Sequence, residues 1–371
     1  MTWPASMDLL ASLAPWFEGV KREMPWRAKD LDCPHPDPYA VLVSEVMLQQ
    51  TQVATVIPYF ERWMARFPNA ASLAMAEEGA VHKAWEGLGY YRRCRFLQAA
   101  ATRISKEGWP VDLAGLQSLP GLGPYTAAAL GAIAFQWPTP ALDGNAFRVL
   151  SRLLLIEGDP KREAATLRNW LRSGLIHLGP SRLSQALMEL GATVCLPQPR
   201  CAQCPLALRC EANRQGRTEE IPPLGKRALV TEQDLWLLAV EAQGAFLLRR
   251  PQPKGLLAGL WRWPVLASPP QKVLDAVAED PLEYQEVEAW EGWTQVYSHR
   301  KEKVSPLHFT LGNRFEAPEG CAWIEATELP SLALGRRDSK LRDLLKFKGQ
   351  TPLSLPFEWL NHLCQAMGSE S

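Results

Sequence analysis

The chain has 371 residues, which is enough for two domains that each bury their own core. Its 47% apolar and 22% charged residues are ordinary for a soluble globular protein. Forty basic residues balance forty acidic ones, so attraction to nucleic acid would depend on local patches and helix ends. Residues 1–23 lack the pattern of a secretory signal, and the longest apolar stretch, 126–137, is too short to cross a bilayer. We therefore expect a soluble, cytoplasmic protein.

The pattern of residues 1–214 predicts an all-α domain of helices joined by short turns rich in Gly and Pro. One helical stretch covers 38–67, with a break at 50–52. Other helices are predicted at 80–86, 92–106, 114–119, 125–135, 145–156, 163–173 and 181–194. No strand pattern separates these helices.

The composition changes after residue 214. Residues 215–230 are polar and contain proline, which is typical of a linker. Residues 231–350 contain four short runs that favour strands, at 235–241, 245–249, 304–311 and 322–324, and a helix near 339–346. The pattern predicts a second, α+β domain over 231–350, followed by a C-terminal tail at 351–371.

Half of the eight cysteines crowd into sixteen residues after a predicted helix, with the spacing C-x5-C-x2-C-x5-C: Cys195, Cys201, Cys204 and Cys210. In a reducing compartment such a cluster indicates a metal site rather than disulfides. Four thiolates hold either zinc or a 4Fe-4S cluster. Zinc ribbons usually present two C-x-x-C pairs and this loop has one, so the spacing favours iron–sulfur.

The segment LPGLGPYTAAAL at 119–130 is typical of two helices joined by a tight turn. Pro124 suits the first position of the second helix. The backbone N–H groups of Gly121 and Gly123 then point outward at a helix N-terminus, which is a natural site for a phosphate. The pattern is that of a helix-hairpin-helix, which holds DNA without reading its sequence.

Two carboxylates stand out in the helical half. Glu45, in YAVLVSEVMLQQTQV, lies on a helix that is apolar around nearly its whole circumference. Dehydration there would raise its pKa and suit it to donate a proton, although a solvated rim or a buried ion pair is the plainer interpretation. Asp143, in DGNAFRVL, fits a helix N-cap by local rules. Together, two carboxylates that flank a glycosidic bond can protonate the leaving group and stabilise an oxocarbenium ion.

Glu45 in SEVMLQQTQV, the hairpin LPGLGPYTA, Asp143 in LDGN and the cysteine loop resemble the endonuclease III superfamily, and more narrowly the MutY-type adenine DNA glycosylases. The resemblance runs from residue 25 to 210 and more thinly beyond. It implies a helix-hairpin-helix glycosylase domain with a 4Fe-4S cluster, followed by a Nudix-like domain. The implied activity is that of a monomer that removes adenine mispaired with 8-oxoguanine or guanine in double-stranded DNA.

The resemblance also implies the roles of the catalytic residues. Glu45 protonates N7 of adenine, and Asp143 stabilises the cationic sugar with Tyr125 beside it. Bifunctional members of the superfamily carry a lysine in the hairpin, whose amine attacks the sugar. Here that position is Tyr125, which cannot form an imine, so we expect a monofunctional enzyme.

Further contacts follow from the same resemblance. Trp26, Arg27 and Gln185 are expected to line a pocket around a flipped-out adenine. Gln50 and Tyr90 are expected to enter the duplex, and Asn145 belongs with the same DNA contacts. Without the resemblance, core packing would be the favoured interpretation of Trp26 and Tyr90, and an ordinary polar surface position that of Gln50 and Gln185. The arginines at 92, 93 and 95 either meet phosphates or form a solvated basic face.

The second half contains FLLRRPQPKGLLAGLWRWP and VYSHRKEK, which resemble the Nudix-like domain of the same family. Ser298 and His299 match the segment that contacts 8-oxoguanine. No G-x5-E-x7-R-E-x-x-E-E box follows Trp261, so the acidic ligands of a catalytic Mg²⁺ are missing. We expect this domain to recognise the lesion and not to hydrolyse nucleotides.

The sequence departs from the family pattern in three places: a first cysteine gap of five residues rather than six, a longer connection after PWR, and Tyr297 in place of phenylalanine. The sequence opposes three other functions. Tyr125 and the long second half oppose a bifunctional pyrimidine-lesion glycosylase. The missing box opposes a Nudix nucleotide hydrolase, and the presence of both Glu45 and Asp143 opposes a noncatalytic DNA-binding module.

Overall fold

The computed structural model describes residues 3–223, 230–255, 257–267, 287–297 and 300–345. The chain divides into two compact units. The first unit comprises Met1–Ala76 and Arg93–Lys226, and the second comprises Glu77–Arg92 and Arg227–Ser371. Among the described residues, no helix is both long enough and apolar enough to cross a membrane.

The described part of the first unit contains helices and no strand, as the sequence predicts. Its helices are α1 (Ser6–Leu10), α2 (Leu13–Val20), α3 (Pro38–Leu48), α4 (Val53–Arg66), α5 (Ala70–Met75), α7 (Arg92–Glu107), α8 (Leu113–Ser118), α9 (Pro124–Phe135), α10 (Gly144–Leu154), α11 (Ala164–Leu178), α12 (Pro180–Thr193) and α13 (Glu211–Arg214), with α6 (Glu78–Trp85) in the second unit. The first residue of α7, Arg92, falls on the second unit's side of the division. Helices α1, α2, α5 and α13 were not predicted. No side chain caps the start of α1 or α2, and α13 is a single turn of four residues.

Acidic caps fix where the helices next to the candidate site begin. Asp37 precedes α3 and accepts hydrogen bonds from the backbone N–H groups of Tyr39 and Ala40, with Pro38 at the first helical position. Asp143 caps α10 in the same way. Helix α3 ends before Gln50, which takes a left-handed conformation with φ 57°. The predicted break between α3 and α4 is therefore a real turn.

Two helices of the first unit are buried around their whole circumference. In α3 every residue from Tyr39 to Met47 is buried, and in α9 the nine residues from Thr126 to Ala134 are buried. Helix α10, by contrast, is amphipathic and packs its apolar face with α11 and α12 in one large core that includes Leu150, Leu171 and Leu187. A polar side chain on α3 or α9 is therefore removed from bulk water.

The second unit is built on a mixed seven-stranded sheet. Its strands are β1 (Thr231–Ala242), β2 (Ala245–Arg249), β3 (Val265–Leu266), β4 (Val287–Ala289), β5 (Trp293–Val296), β6 (Arg300–Leu311) and β7 (Cys321–Glu325), followed by helix α14 (Arg336–Leu345). The path is β4-β6-β1-β2-β7, with β3 on β1 and β5 on β6. Strands β1 and β6 pair in parallel along their whole length, and the other pairs are antiparallel. The α+β prediction is confirmed, although the short strands β3, β4 and β5 were not predicted.

Both faces of this sheet are buried. On β1, Leu238 and Val240 pack with Phe309 on one face, while Leu235 and Leu237 face a second cluster. That second cluster includes Trp263, Leu334 and Leu341, so α14 and the segment before it cover this face. Burial on two faces explains why β1 is nearly continuously apolar from residue 235 onward.

Residues 77–92 lie within the helical half of the sequence, yet their contacts group them with the second unit. The Tyr91 hydroxyl donates a hydrogen bond to the carbonyl oxygen of Leu334 at 2.8 Å. The Lys83 ammonium donates to the carbonyl of Leu332 at 3.0 Å. The second unit is therefore assembled from two separate stretches of chain.

The turn between α8 and α9 depends on a glycine. Gly121 has a φ of 78°, and a Cβ atom there would lie 2.5 Å from Cβ of Phe96. Gly123, the N-cap of α9, has an ordinary φ of −68° and open space around it. Only the first of the two glycines is required by the backbone of the turn.

We therefore expect Gly121→Ala to lower the free energy of unfolding by about 1–3 kcal/mol, through strain and the clash with Phe96. Gly123→Ala is the matched control and should change it by no more than about 0.5 kcal/mol. Urea titration of the two variants beside the wild type measures both values. Equal destabilisation by the two substitutions would contradict this account of the turn.

Candidate active site

A cavity of about 990 Å³ opens in the first unit between α3, α9, α10 and α12. Its volume is at the upper end of the range for small-molecule sites. It brings together eight of the residues singled out from the sequence: Trp26, Arg27, Glu45, Gln50, Tyr125, Asp143, Asn145 and Gln185. These residues come from five separate segments of the chain, so their convergence is a property of the fold.

Glu45 lies on the wall that α3 contributes, with a side chain that is 7% exposed. Burial raises the pKa of its carboxyl from the ordinary 4.5 to about 7. A hydrogen bond from the Tyr125 hydroxyl lowers the pKa, and the nearby Asp143 carboxylate raises it. At neutral pH a large fraction of Glu45 therefore carries a proton, which it can donate.

Tyr125 connects the helix-hairpin-helix to this carboxyl. It follows Pro124 at the start of α9, so the turn between α8 and α9 sets its position. Burial, together with the charges of Glu45 and Asp143, holds the pKa of the Tyr125 hydroxyl well above its usual value. The hydroxyl therefore keeps its proton and acts as a hydrogen-bond donor to Glu45.

Asp143 is both the N-cap of α10 and part of the cavity wall. Its Oδ1 accepts a hydrogen bond from the Ala146 N–H at 2.6 Å, and its Oδ2 accepts one from Asn145 Nδ2 at 3.1 Å. The Asn145 amide oxygen in turn accepts a hydrogen bond from Arg148 at 2.8 Å. The capping interpretation is confirmed, and it is compatible with the functional one, because the cap orients the carboxylate in the cavity.

The opposite part of the wall is a polar cluster around Arg27. The Arg27 Nε donates to Gln185 Oε1 at 2.8 Å, and Gln185 Nε2 donates to Ser181 Oγ at 3.0 Å. The amide of Gln185 is thus fixed at both ends, and each end still has capacity for one more hydrogen bond. Trp26 packs edge-on against Phe60 at a ring distance of 5.2 Å.

Glu189 is a charged residue of this wall that sequence reasoning missed. Its side chain is 2% exposed and forms ion pairs with Arg22 and with Arg27, the latter at 3.2 Å. It lies one turn after Gln185 on α12, and both line the cavity. The spacing of four residues from Gln185 was the available signal, because residues at that spacing share one face of a helix.

The two residues expected to enter the duplex share an unusual backbone. Gln50 has a φ of 57° and Tyr90 a φ of 50°, both in the left-handed region that side chains other than glycine rarely adopt. Gln50 lies at the edge of the cavity in the first unit. Tyr90, in the second unit, is 47% exposed. Such conformations concentrate at functional sites.

Arg93 occupies neither of the two places that the sequence left open. It is buried, and its guanidinium donates to the carbonyl oxygens of Val46 at 3.0 Å and Met47 at 3.1 Å, and also to that of Gln49. These are carbonyl groups at the end of α3 that no helical N–H can reach. Arg93 is therefore a C-terminal cap of α3, and neither a phosphate contact nor part of a solvated face.

The four clustered cysteines line one small cavity beside α10. Arg152 of α10 donates to Cys195 Sγ at 3.4 Å, and its carbonyl accepts from Cys210 Sγ at 3.3 Å. Burial raises the pKa of the Cys204 thiol to about 11, and the other three sulfurs add to the rise. Although no three potential ligands among the described residues stand close enough to hold a metal ion as placed, a shared cavity lined by four sulfurs fits a thiolate-bound metal centre.

Ser298 and His299 lie outside the described residues. The adjoining Tyr297 is described, and the guanidinium of Arg300 stacks on its ring at 5.1 Å.

Comparison with known proteins gives two family matches. The HhH-GPD superfamily of base excision DNA repair proteins matches residues 43–173, and the NUDIX domain matches residues 235–344. The adenine DNA glycosylase of Homo sapiens is 33% identical over 411 residues, covering 92% of this chain and 74% of the human protein. The chain belongs to the adenine DNA glycosylase family. Its members are enzymes of base excision repair, and the predicted order of a helix-hairpin-helix domain and a Nudix-like domain is confirmed.

Two further similarities complete the comparison. The adenine DNA glycosylase of Arabidopsis thaliana is 35% identical over 292 residues, covering 68% of this chain and 46% of that protein. The chain thus spans less than half the length of the plant relative. Among solved structures, a thermostable thymine-DNA glycosylase matches with 21% identity and a TM-score of 0.47, covering 56% of this chain and 96% of that one.

The raised pKa of Glu45 has a consequence for the stability of this family member. A carboxyl whose folded pKa, about 7, exceeds its ordinary 4.5 stabilises the fold fully below pH 4.5, and that contribution is lost as the pH rises through 7. We expect Glu45→Gln, which cannot ionise, to escape this loss. Between about pH 4.5 and pH 8 the variant should gain up to about 3 kcal/mol relative to wild type. Urea unfolding of both proteins across that range measures the difference, and a difference that does not vary with pH would contradict the raised pKa.

Proposed function

We propose that this chain is a monofunctional DNA glycosylase that hydrolyses the N-glycosidic bond of adenine mispaired with 8-oxoguanine or guanine. The observation that supports it most strongly is the pair of carboxyl groups, Glu45 and Asp143, on one cavity, with burial raising the pKa of Glu45 to about 7. Membership of the adenine DNA glycosylase family supports the choice of base.

In the proposed reaction Glu45 is the general acid. Its carboxyl donates a proton to N7 of adenine, which turns the base into a neutral leaving group. The hydrogen bond from the Tyr125 hydroxyl stabilises the carboxylate that remains. A carboxyl with a pKa near neutrality is suited to this task, because it is protonated before the transfer and is still acidic enough to give the proton away.

Asp143 stabilises the sugar in the proposed reaction. As the glycosidic bond breaks, positive charge develops on C1′ and the ring oxygen, and a nearby carboxylate stabilises it. The bonds from Ala146 N–H and Asn145 fix the orientation of that carboxylate before the charge appears. Water then adds at C1′ and gives its proton to the Glu45 carboxylate, which restores the acid for the next turnover. Tyr125 has no amine to form an imine with the sugar, so the reaction ends at the abasic site.

Recognition of the base is assigned to the cluster of Arg27, Gln185 and Glu189. The remaining donor and acceptor capacity of the Gln185 amide suits the edge of a flipped-out purine, and Trp26 offers an apolar wall. The backbone of Gly121 and Gly123 at the start of α9 would hold a phosphate. Gln50 and Tyr90 would fill the space the adenine leaves, and Ser298 and His299 would contact 8-oxoguanine.

We also propose that Cys195, Cys201, Cys204 and Cys210 hold a 4Fe-4S cluster. The four sulfurs around one cavity and the guanidinium of Arg152 beside Cys195 support it. Such a cluster ties its loop together as a metal crosslink does, and so stabilises the fold around α10. The proposed steps at the sugar and the base involve only side chains and water.

The direct test of the function is the identity of the released base. Duplexes that contain A:8-oxoG, A:G, A:T and a damaged pyrimidine are incubated with the protein, and chromatography identifies the product. We expect free adenine from the first two, and borohydride should trap no covalent complex. Glu45→Gln should slow single-turnover release by about 10²–10⁴-fold. Release of the pyrimidine alone, or near-normal activity of the variant, would overturn the assignment.

The cluster has a separate test. Anaerobically purified protein should contain iron and absorb broadly near ~400 nm. Cys204→Ser should lower the iron content, while Cys33→Ser, at an exposed cysteine outside the loop, should leave it unchanged. Stoichiometric zinc without iron would show that the loop holds a different metal.

A further inference from the structure

The turn that carries Tyr90 has a demanding backbone. It follows α6, and three of its four residues, Gly87, Gly89 and Tyr90, have positive φ angles of 100°, 70° and 50°. Glycine adopts this region freely, whereas a tyrosine does so only where the surrounding contacts fix it. The Tyr90 side chain itself is 47% exposed. Contacts of the residues on either side of Tyr90 restrain this turn.

On the C-terminal side the restraint is the hydroxyl of Tyr91. It accepts a hydrogen bond from the Gly87 N–H at 3.4 Å and donates one to the carbonyl of Leu334 at 2.8 Å. Leu334 is fully buried and pairs as a β-bridge with Trp261. One buried hydroxyl thus closes the turn on itself and fastens it to the core of the second unit.

On the N-terminal side the restraint is an ion pair. The Glu86 carboxylate lies 2.8 Å from the guanidinium of Arg342 on α14, and the side chains of both residues are about nine-tenths buried. Lys83 adds its bond to the carbonyl of Leu332. Glu86 also pairs with Lys83, and Arg342 also pairs with Asp343 at 3.3 Å. The buried pair is therefore part of a network of four charges, in which each member restrains its neighbours.

We propose that Tyr91 and the Glu86–Arg342 pair are positioning residues, through which the segment 332–342 of the Nudix-like half sets the direction of the exposed Tyr90 ring toward DNA. This inference rests on the proposed function, in which Tyr90 enters the duplex. It assigns the Nudix-like half a second contribution, besides recognition of the lesion base. Loss of either restraint lets the turn relax away from the left-handed conformation, and the ring then enters the duplex less often.

The test is a double-mutant cycle on the full chain, with Glu45→Gln as background so that the DNA stays intact. The dissociation constant is measured on an A:8-oxoG duplex for Tyr91→Phe, Tyr90→Ala and the combination. Losing the hydroxyl should raise the constant about tenfold when Tyr90 is present. In the Tyr90→Ala background the same change should have an effect of no more than about twofold, because no ring remains to be positioned.

A matched control and a second variant complete the design. Tyr39→Phe removes a buried hydroxyl of the first unit, whose partner is Trp63 Nε1 at 3.1 Å, and should leave binding unchanged. Glu86→Gln with Arg342→Gln removes the ion pair while leaving groups that can hydrogen-bond. This double variant should bind the duplex more weakly when Tyr90 is present, and the difference should disappear in the Tyr90→Ala background. It gives a second measurement if Tyr91→Phe does not fold.

An equal loss with and without the Tyr90 ring would overturn the proposal, since the restraints would then act on stability alone. No loss on Tyr91→Phe in a folded protein would overturn it as well. If Tyr90→Ala binds the duplex as tightly as its parent, both the insertion and its positioning are wrong. A failure of the proposed glycosylase function would be seen in a different experiment, the base-release assay, in which the chain with Glu45 intact would release no adenine.

Discussion

The helical unit depends on the burial of one carboxyl group, that of Glu45, whose pKa burial raises from 4.5 to about 7. Water would lower the pKa of Glu45, so the helix that carries it has to be dry on every side. Helix α3 meets that requirement with an unbroken buried run from Tyr39 to Met47, and α9 beside it is buried through nine consecutive residues. The packing of α3 against α9 keeps water away from Glu45. The apolar composition of these two helices therefore serves the proposed chemistry as well as the fold.

Precision in the site comes largely from backbone atoms. Asp143 is oriented by the first free N–H groups of α10, and Asp37 and Arg93 cap the two ends of α3, the helix that presents Glu45. Helix ends have unsatisfied donors and acceptors at fixed positions, so a side chain bound there has little freedom. A catalytic group held in this way needs no reorganisation when charge develops on the substrate. In the cluster around Arg27 an ion pair positions the side chain instead, because Glu189 holds the Arg27 guanidinium.

The sequence predicts features that depend on neighbouring residues, and it does not predict contacts between residues far apart in the chain. The apolar neighbours of Glu45 in its own helix predict its burial. The Pro and Gly residues of the hairpin predict the turn at Gly121. The role of Glu189 could not be predicted, because its partner Arg27 lies 162 residues away. The grouping of residues 77–92 with the second unit depends on contacts such as Tyr91 to Leu334, 243 residues apart. Helices α1 and α2 lack capping side chains and gave no start signal.

Because the second unit consists of two separate stretches of chain, it cannot be completed early in synthesis. Residues 77–92 leave the ribosome well before the stretch from 227 onward that supplies their partners. At ordinary rates of translation the interval is on the order of ten seconds, far longer than a small domain needs to fold. During that interval the segment lacks its partners from the later stretch, among them Gly259, which lies against the fully buried His82. Nascent chains that have reached only the helical half would therefore expose an apolar segment, of the kind that chaperones bind, until the sheet is complete.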